Sequence, residues 1–178
     1  YEVSSGQLDR TFTNFMLRRF KDCGMKSTAK IINELDEFGF TVFDLPNLDV
    51  VLEIRQLLDI ELRKHIRDPE VQLETYHHFI NSDDEHIDIH WKIASAARDQ
   101  KFTRQLLEGQ LEILHDFFGP DLAMSSRDNV RIVRPQVESD NLDFHRDYDY
   151  GNTAFELNIL VPFVDVDELT GLAVLPKS

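Results

Sequence analysis

Hydrophobic residues in the first two thirds of the chain recur at intervals of three and four, the spacing that gathers them on one face of an α-helix. The clearest stripe lies between Asn47 and about Arg67, where acidic residues come early and basic residues late, as the helix dipole favours. Its apolar positions are Val51, Ile54, Leu58, Leu62 and Ile66. The same spacing predicts helices over about residues 7–21, 27–38, 82–97 and 99–118.

Capping residues mark the ends of several of these helices. Ser27 or Thr28 begins one and Gly39 ends it, while Gly119 and Pro120 end the last. Ser82 or Asp83 begins the helix that carries its apolar residues at Ile87, Trp91, Ala94 and Ala97. Residues 71–80 lack clean alternation, and we interpret them as strand or irregular structure.

From Asp121 onward the hydrophobic period changes from 3.6 to 2, which predicts β-strands at residues 129–134, 153–161 and 172–175. Residues 40–45 alternate in the same way and predict an earlier strand. In the long strand, Phe155, Leu157, Ile159 and Val161 share the face that would pack on helices. The other face would turn Glu156, Asn158 and Leu160 toward a more polar interior. Helices first and strands afterwards predict an α+β fold, with a helical layer on a barrel or jelly-roll sheet.

Length and charge narrow the class of protein. The 178 residues predict one domain (1–178), with 1–120 mainly helical and 121–178 forming the first part of the jelly-roll core. The formal net charge of -14 disfavours nucleic acid and anionic membranes as partners, and no apolar run is long enough to span a membrane. The single Cys23 excludes an internal disulfide framework and fits a cytoplasmic protein. The chain begins at Tyr1 and shows no signal-peptide pattern.

The candidate chemistry centres on His145 and Asp147. In an extended segment these two positions project to the same side, so an imidazole and a carboxylate become neighbours. They are half of a 2-His-1-carboxylate facial triad, the ligand set of non-haem Fe(II) oxygenases. A second His would have to come from elsewhere in the chain.

Other charged residues have plainer interpretations. His86 and His90 have a spacing that can bind zinc, but a packed or hydrogen-bonded pair of histidines on a helix is the favoured interpretation. Arg131 and Arg134 could receive an anionic co-substrate. Because they fall on opposite faces of one predicted strand, at most one of them points inward.

The sequence resembles the phytanoyl-CoA dioxygenase-like family of Fe(II)/2-oxoglutarate-dependent dioxygenases. The residues that carry the resemblance are the run from Leu35 to Phe43, the triplet His145-Arg146-Asp147, and the run from Leu157 to Ser178. In the family, the last of these leads through an Asp-rich, Gly-containing turn to a Pro-x-Ser-His segment, of which Pro176-Lys177-Ser178 is present here.

The resemblance implies an oxidoreductase that hydroxylates an unactivated C–H bond of a small molecule with O2 and releases succinate and CO2. His145 and Asp147 would be metal ligands, with Fe(II) and 2-oxoglutarate as cofactors. Residues expected to line the cofactor or substrate cavity are Arg131, Tyr148, Tyr150, Asn152, Glu156 and Asn158.

The resemblance places the second His ligand and the Arg that pairs with 2-oxoglutarate beyond Ser178. We therefore expect these 178 residues by themselves to bind iron weakly or not at all. Two alternatives remain open at this point: a non-catalytic jelly-roll binding module that has lost iron, and a metal-dependent hydrolase that uses the His-x-Asp pair.

Overall fold

The computed structural model describes residues 26–124, 129–142, 145, 156–167 and 170–176. Five α-helices lie in these residues: α1 (Thr28–Phe38), α2 (Leu48–Ile66), α3 (Asp83–Asp99), α4 (Phe102–Glu108) and α5 (Leu111–Phe118). Short 3-10 helices occupy Tyr76–His78 and Glu138–Asp140. The helix expected at residues 7–21 lies outside the described residues.

The chain divides into two compact units. The first contains the described parts of Tyr1–Val50, Gln105–Met124 and Val166–Ser178. The second contains those of Val51–Arg104 and Ser125–Asp165. None of the helices in the described residues is both long and apolar enough to cross a membrane.

The first unit is built on the packing of α1 against α5. Ser27 caps α1 by accepting a hydrogen bond from the backbone N–H of Lys30, and Gly39 ends it with a φ of 80°. Ile31 is fully buried, while the neighbouring Ile32 is exposed. The predicted start and end of this helix are therefore confirmed.

Glu34 of α1 is buried with its charge compensated. Its carboxylate accepts hydrogen bonds from Lys26 Nζ at 2.7 Å and from Thr41 Oγ1 at 2.6 Å. A buried carboxylate needs such partners because its desolvation is otherwise costly. These contacts attach the chain on either side of α1 to the helix itself.

The long helix predicted for residues 99–118 is interrupted, because Gly109 and Gln110 separate α4 from α5. A Cβ placed on Gly109 would lie 2.9 Å from Val50 Cγ2, so a larger residue at this position would force the Val50 side chain to shift. The buried Gln110 side chain accepts from the backbone N–H of Asn47 at 3.1 Å and donates to its carbonyl oxygen at 2.8 Å. The break in the helix is thus tied to the chain that enters α2.

The second unit contains most of α2, and the predicted stripe of this helix is confirmed except at Ile66, which is half-buried. Val51, Ile54, Leu58 and Leu62 are all buried. The loop after α2 is held by its polar residues: Arg63 Nε donates to the Val71 carbonyl at 3.1 Å, and Asp59 Oδ1 accepts from the Leu73 backbone N–H at 3.0 Å. Residues 71–80, interpreted as strand or irregular, form turns and a 3-10 helix.

The buried face of α3 differs from the prediction. Ser82 caps this helix as expected, by accepting from the Glu85 backbone N–H at 3.2 Å. Of the predicted stripe, Ile87 and Trp91 are instead 51% and 67% exposed. The buried residues are His86, Ile89, Ile93, Ala94 and Ala97. Ala94 and Ala97 are thus buried as predicted, whereas His86, Ile89 and Ile93 occupy the interior in place of Ile87 and Trp91.

The predicted α+β fold with a jelly-roll core is wrong for the part of the chain that the structure describes, which is helical and contains no β-strand. The contradicted strands are the described residues of 40–45, 129–134, 153–161 and 172–175. Alternating apolar and polar residues favour an extended backbone. A β-strand also needs a neighbouring strand that accepts and donates its backbone hydrogen bonds. Leu157 and Ile159, which were predicted to pack on helices, are exposed, and so is Leu160 of the opposite face.

One local feature of the C-terminal segment is a tight turn. The backbone N–H of Thr170 donates to Asp167 Oδ1 and the backbone N–H of Asp167 donates to Thr170 Oγ1, both at 2.9 Å. A Cβ on Gly171 would lie 2.8 Å from the Asp167 carbonyl oxygen, which makes glycine necessary there. The Asp- and Gly-containing stretch therefore forms a turn.

Replacing Gln110 with Ala should lower the free energy of unfolding by roughly 1–3 kcal/mol, because it removes both side-chain partners from the backbone of Asn47. Urea denaturation followed by circular dichroism measures the change. Gln56→Ala, at an exposed position of α2, is the matched control and should be close to neutral. Equal effects of the two changes would contradict the role given to Gln110.

Candidate functional site

The second unit contains a cluster of hydrogen-bonded polar side chains, which we call the Arg134 network. Tyr76 belongs to the first 3-10 helix, and Asp83 and His86 belong to the first turns of α3. The other members, Arg134 and Asp140, lie in the segment of residues 129–142. The network thus joins three parts of the second unit.

Its centre is the pair formed by Arg134 and Asp140. Arg134 Nε donates to Asp140 Oδ2 and Nη2 donates to Oδ1, each at 2.8 Å, in the bidentate geometry that guanidinium and carboxylate favour. The backbone N–H of Arg134 also donates to Oδ2 at 2.9 Å. Side-chain exposure is 9% for Arg134 and 4% for Asp140. The pair therefore closes the loop of residues 135–139, which is itself mostly exposed.

These contacts shift the ionisation of both partners. Hydrogen bonds from Arg134 lower the pKa of Asp140 from 3.8 to about 2, against the opposing effect of burial. Hydrogen bonds to Asp140 raise the pKa of Arg134 above its usual value. Both groups are charged throughout the neutral range.

The pair is attached to α3 at two points. Arg134 Nη2 donates to Asp83 Oδ1 at 2.8 Å, and His86 Nε2 lies 3.5 Å from Asp140 Oδ2. Asp83 stands in the first turn of α3, where the helix dipole favours a carboxylate. Its side chain is 69% exposed, so the network reaches the surface there.

His86 and Tyr76 form the inner end of the network. His86 Nδ1 and the Tyr76 hydroxyl are 3.0 Å apart, and both residues are buried. Burial raises the pKa of Tyr76 to about 12, so its hydroxyl keeps its proton. Burial also lowers the pKa of His86, with Arg134 and His90 contributing and Asp140 opposing. The neutral imidazole therefore accepts from Tyr76 and turns its Nε2–H toward Asp140.

The chemistry of this cluster is that of a closed hydrogen-bond network. Within the described residues, every buried side-chain nitrogen or oxygen has a hydrogen-bond partner. The same residues contain no group of three His, Cys, Asp or Glu side chains that could hold a metal ion. Its members hold one another, so the network serves to fix the 129–142 segment.

Only some of the site residues predicted from the sequence lie in the described part of the chain. His145 is described and exposed, and Glu156 and Asn158 are exposed as well. Arg131 is exposed and donates through Nη2 to the Asp140 carbonyl oxygen at 2.8 Å. The remaining predicted site residues lie outside the described residues: Asp147, Tyr148, Tyr150 and Asn152. The described part therefore contains one of the two predicted metal ligands.

The interpretation of His86 and His90 as packed, hydrogen-bonded histidines is confirmed. His86 contacts Tyr76 and Asp140, and His90 Nε2 lies 2.7 Å from the Val130 carbonyl oxygen. Arg134 was expected only as an alternative to Arg131. The two sides were assigned from a predicted strand that is not present, and spacing along the sequence does not show that carboxylates surround Arg134.

No family model matches the chain, and the searches of curated proteins and of solved structures also give no match.

Replacing Arg134 with Met should lower the free energy of unfolding by roughly 3–5 kcal/mol, because it leaves the buried carboxylate of Asp140 without its main partner. Urea denaturation measures this loss. The matched control is Arg131→Met in the same segment, where an exposed guanidinium is removed at a cost of about 1 kcal/mol or less. Similar losses in both variants would contradict the assignment.

Asp140 should make the protein sensitive to strong acid. Its folded pKa lies below its ordinary value, so its contribution to stability is complete above about pH 4 and is lost as the pH falls toward about 2. The measurement is the free energy of unfolding across this range in the native chain and in Asp140→Asn. The variant should lack this part of the acid dependence, and an unchanged slope would contradict the prediction.

Proposed function

We propose that the chain contributes to an Fe(II)- and 2-oxoglutarate-dependent oxygenase that hydroxylates an unactivated C–H bond of a small molecule. The single observation that supports the proposal is the order of His145-Arg146-Asp147 and the run from Leu157 to Pro176-Lys177-Ser178. This order resembles the motif sequence of the phytanoyl-CoA dioxygenase-like family. The proposal rests on these motifs and is independent of the fold prediction that the structure corrects.

The donor chemistry of His145 and Asp147 suits ferrous iron. A neutral imidazole and a carboxylate, together with a second His, make the facial ligand set that leaves positions open on the metal. When bound, iron and 2-oxoglutarate supply the oxidising chemistry that consumes O2 and yields succinate and CO2. The protein's own task is to hold the ligands in a fixed geometry and to limit the access of water.

Arg131, which lies in the described part of the chain, is the residue that we propose to bind an anionic co-substrate. Its guanidinium uses an N–H of Nη2 for the Asp140 carbonyl oxygen, and an arginine carries five N–H donors in all. An exposed guanidinium held at one side can therefore still offer donors to a carboxylate. Glu156 and Asn158 remain proposed lining residues on the segment that follows the motif, and both are exposed.

The test measures Fe(II) binding and 2-oxoglutarate-dependent release of succinate in the chain extended past Ser178, where the resemblance places the second His. His145→Ala and Asp147→Ala should each lower iron affinity by about a hundredfold or more, because each removes a direct ligand. His115→Ala, which removes an exposed His of α5, is the control and should bind iron normally.

Two results would contradict the proposal. One is an extended chain that neither binds iron nor releases succinate when offered a broad panel of small molecules. The other is iron binding that survives both the His145 and the Asp147 substitutions. Turnover of an ester substrate without consumption of 2-oxoglutarate would assign the same two residues to a metal-dependent hydrolase instead.

A further inference from the structure

The outward face of α2 carries a row of exposed side chains. This helix runs without a break from Leu48 to Ile66, and its buried stripe leaves the opposite face open to solvent. The exposed residues along the middle of that face, which we call the α2 row, are Asp49, Leu52, Gln56, Ile60 and Arg63. At about 100° per residue, the other four lie within about 40° of Gln56 around the helix axis.

The α2 row is symmetrical about Gln56. Leu52 and Ile60 stand four positions from it on either side, and Asp49 and Arg63 stand seven positions from it. At about 1.5 Å per residue, these offsets are roughly 6 Å and roughly 10 Å along the axis. A second α2 that runs in the opposite direction, with a twofold axis at Gln56, therefore sets Leu52 against Ile60 and Asp49 against Arg63. The symmetry makes each of these contacts occur twice.

The inner positions of the row gain from being covered. Leu52 and Ile60 are each 47% exposed, and the removal of apolar area from water stabilises an association. At the twofold axis, the Gln56 amide offers both donors and an acceptor, so two copies of it can pair with each other. A polar residue in such a place fixes the register of paired helices, at some cost in stability.

The outer positions of the row carry opposite charges. Asp49 lies in the first turn of α2 and Arg63 in the last. Arg63 Nε donates to the Val71 carbonyl oxygen at 3.1 Å, which leaves the two terminal nitrogens of the guanidinium for another acceptor. In the described part of the chain, neither these nitrogens nor the Asp49 carboxylate has a further partner. A parallel second copy would bring like charges together, whereas an antiparallel copy brings opposite charges together.

We propose that the α2 row is a homodimer interface, on which α2 of a second copy of this chain packs antiparallel. The interface is independent of the proposed oxygenase activity. One helix per chain offers less area than the roughly 1,600 Å² that stable complexes bury, so the dimer is weak and the dilute chain is monomeric. The net charge of -14 on each copy opposes association, and salt of about 0.15 M screens this repulsion beyond about 8 Å.

The first test compares two matched substitutions by sedimentation velocity of the 178-residue chain in about 0.15 M salt. As its concentration rises, the native chain should approach twice the 20.8 kDa of one copy. Ile60→Asn should raise the dissociation constant of the dimer by about tenfold or more, because the twofold axis makes it remove two apolar contacts. Ile87→Asn is the control and should leave the constant unchanged, because Ile87 is 51% exposed but lies on α3.

The second test reverses charges, and its result depends on the antiparallel direction. In Asp49→Arg, two cations face each other at both ends of the interface, and in Arg63→Glu two carboxylates do. Each variant alone should therefore dimerise roughly tenfold more weakly than the native chain. An equal mixture of the two variants should regain the native affinity, because every charge in the mixed dimer faces its opposite. Circular dichroism checks that both variants keep the native helix content.

A native chain that stays monomeric at every concentration would overturn the proposal, and so would a dimer that Ile87→Asn weakens as much as Ile60→Asn. A mixture of the charge variants that dimerises no better than either variant alone would exclude the antiparallel contact. If Arg63→Glu does not fold because its contact with Val71 is lost, the comparison of Ile60→Asn with Ile87→Asn decides by itself.

Discussion

The buried ion pair between Arg134 and Asp140 is the interaction on which the described part of the second unit most depends. Removing two charges from water costs several kcal/mol per ion, so the pair is tolerable only with near-complete hydrogen bonding. Here both carboxylate oxygens accept from Arg134, whose backbone N–H and guanidinium contribute together. The guanidinium also reaches Asp83 of α3. The pair therefore does more than close a loop, because its guanidinium also attaches that loop to α3.

A related solution appears in the first unit, with an amide in place of the ion pair. Gln110 interrupts the helical run after Gly109 and satisfies both backbone groups of Asn47. In both units a buried polar side chain holds irregular chain in place, as it must where no ladder of backbone hydrogen bonds exists. The helices bury the apolar residues, and the polar anchors determine where the connecting segments lie.

Helices could be predicted from the sequence because their signals are local. The stripe from Val51 to Leu62 and the caps at Ser27 and Ser82 involve residues within a few positions of one another. The strands failed because pairing is a long-range property: residues 156–161 alternate as a strand does, yet no neighbouring strand exists among the described residues. The buried face of α3 was predicted only in part, for a related reason. Burial of His86 instead of Trp91 becomes favourable only when Tyr76 and Asp140 supply partners, and spacing along the helix cannot show them.

The candidate metal ligands follow the same division between local and long-range information. The His-x-Asp spacing is local and was recognisable, whereas a facial triad needs a third donor from a distant part of the chain. The Arg134 network affects the position of His145 only because a short stretch of chain connects the two. His145 is five residues after Asp140, so its Cα lies within about 18 Å of that anchor in any conformation. Because Asp140 is held on α3, the imidazole of His145 can occupy only a limited volume. A smaller accessible volume reduces the conformational entropy that would be lost if a metal-ligand set assembled around it.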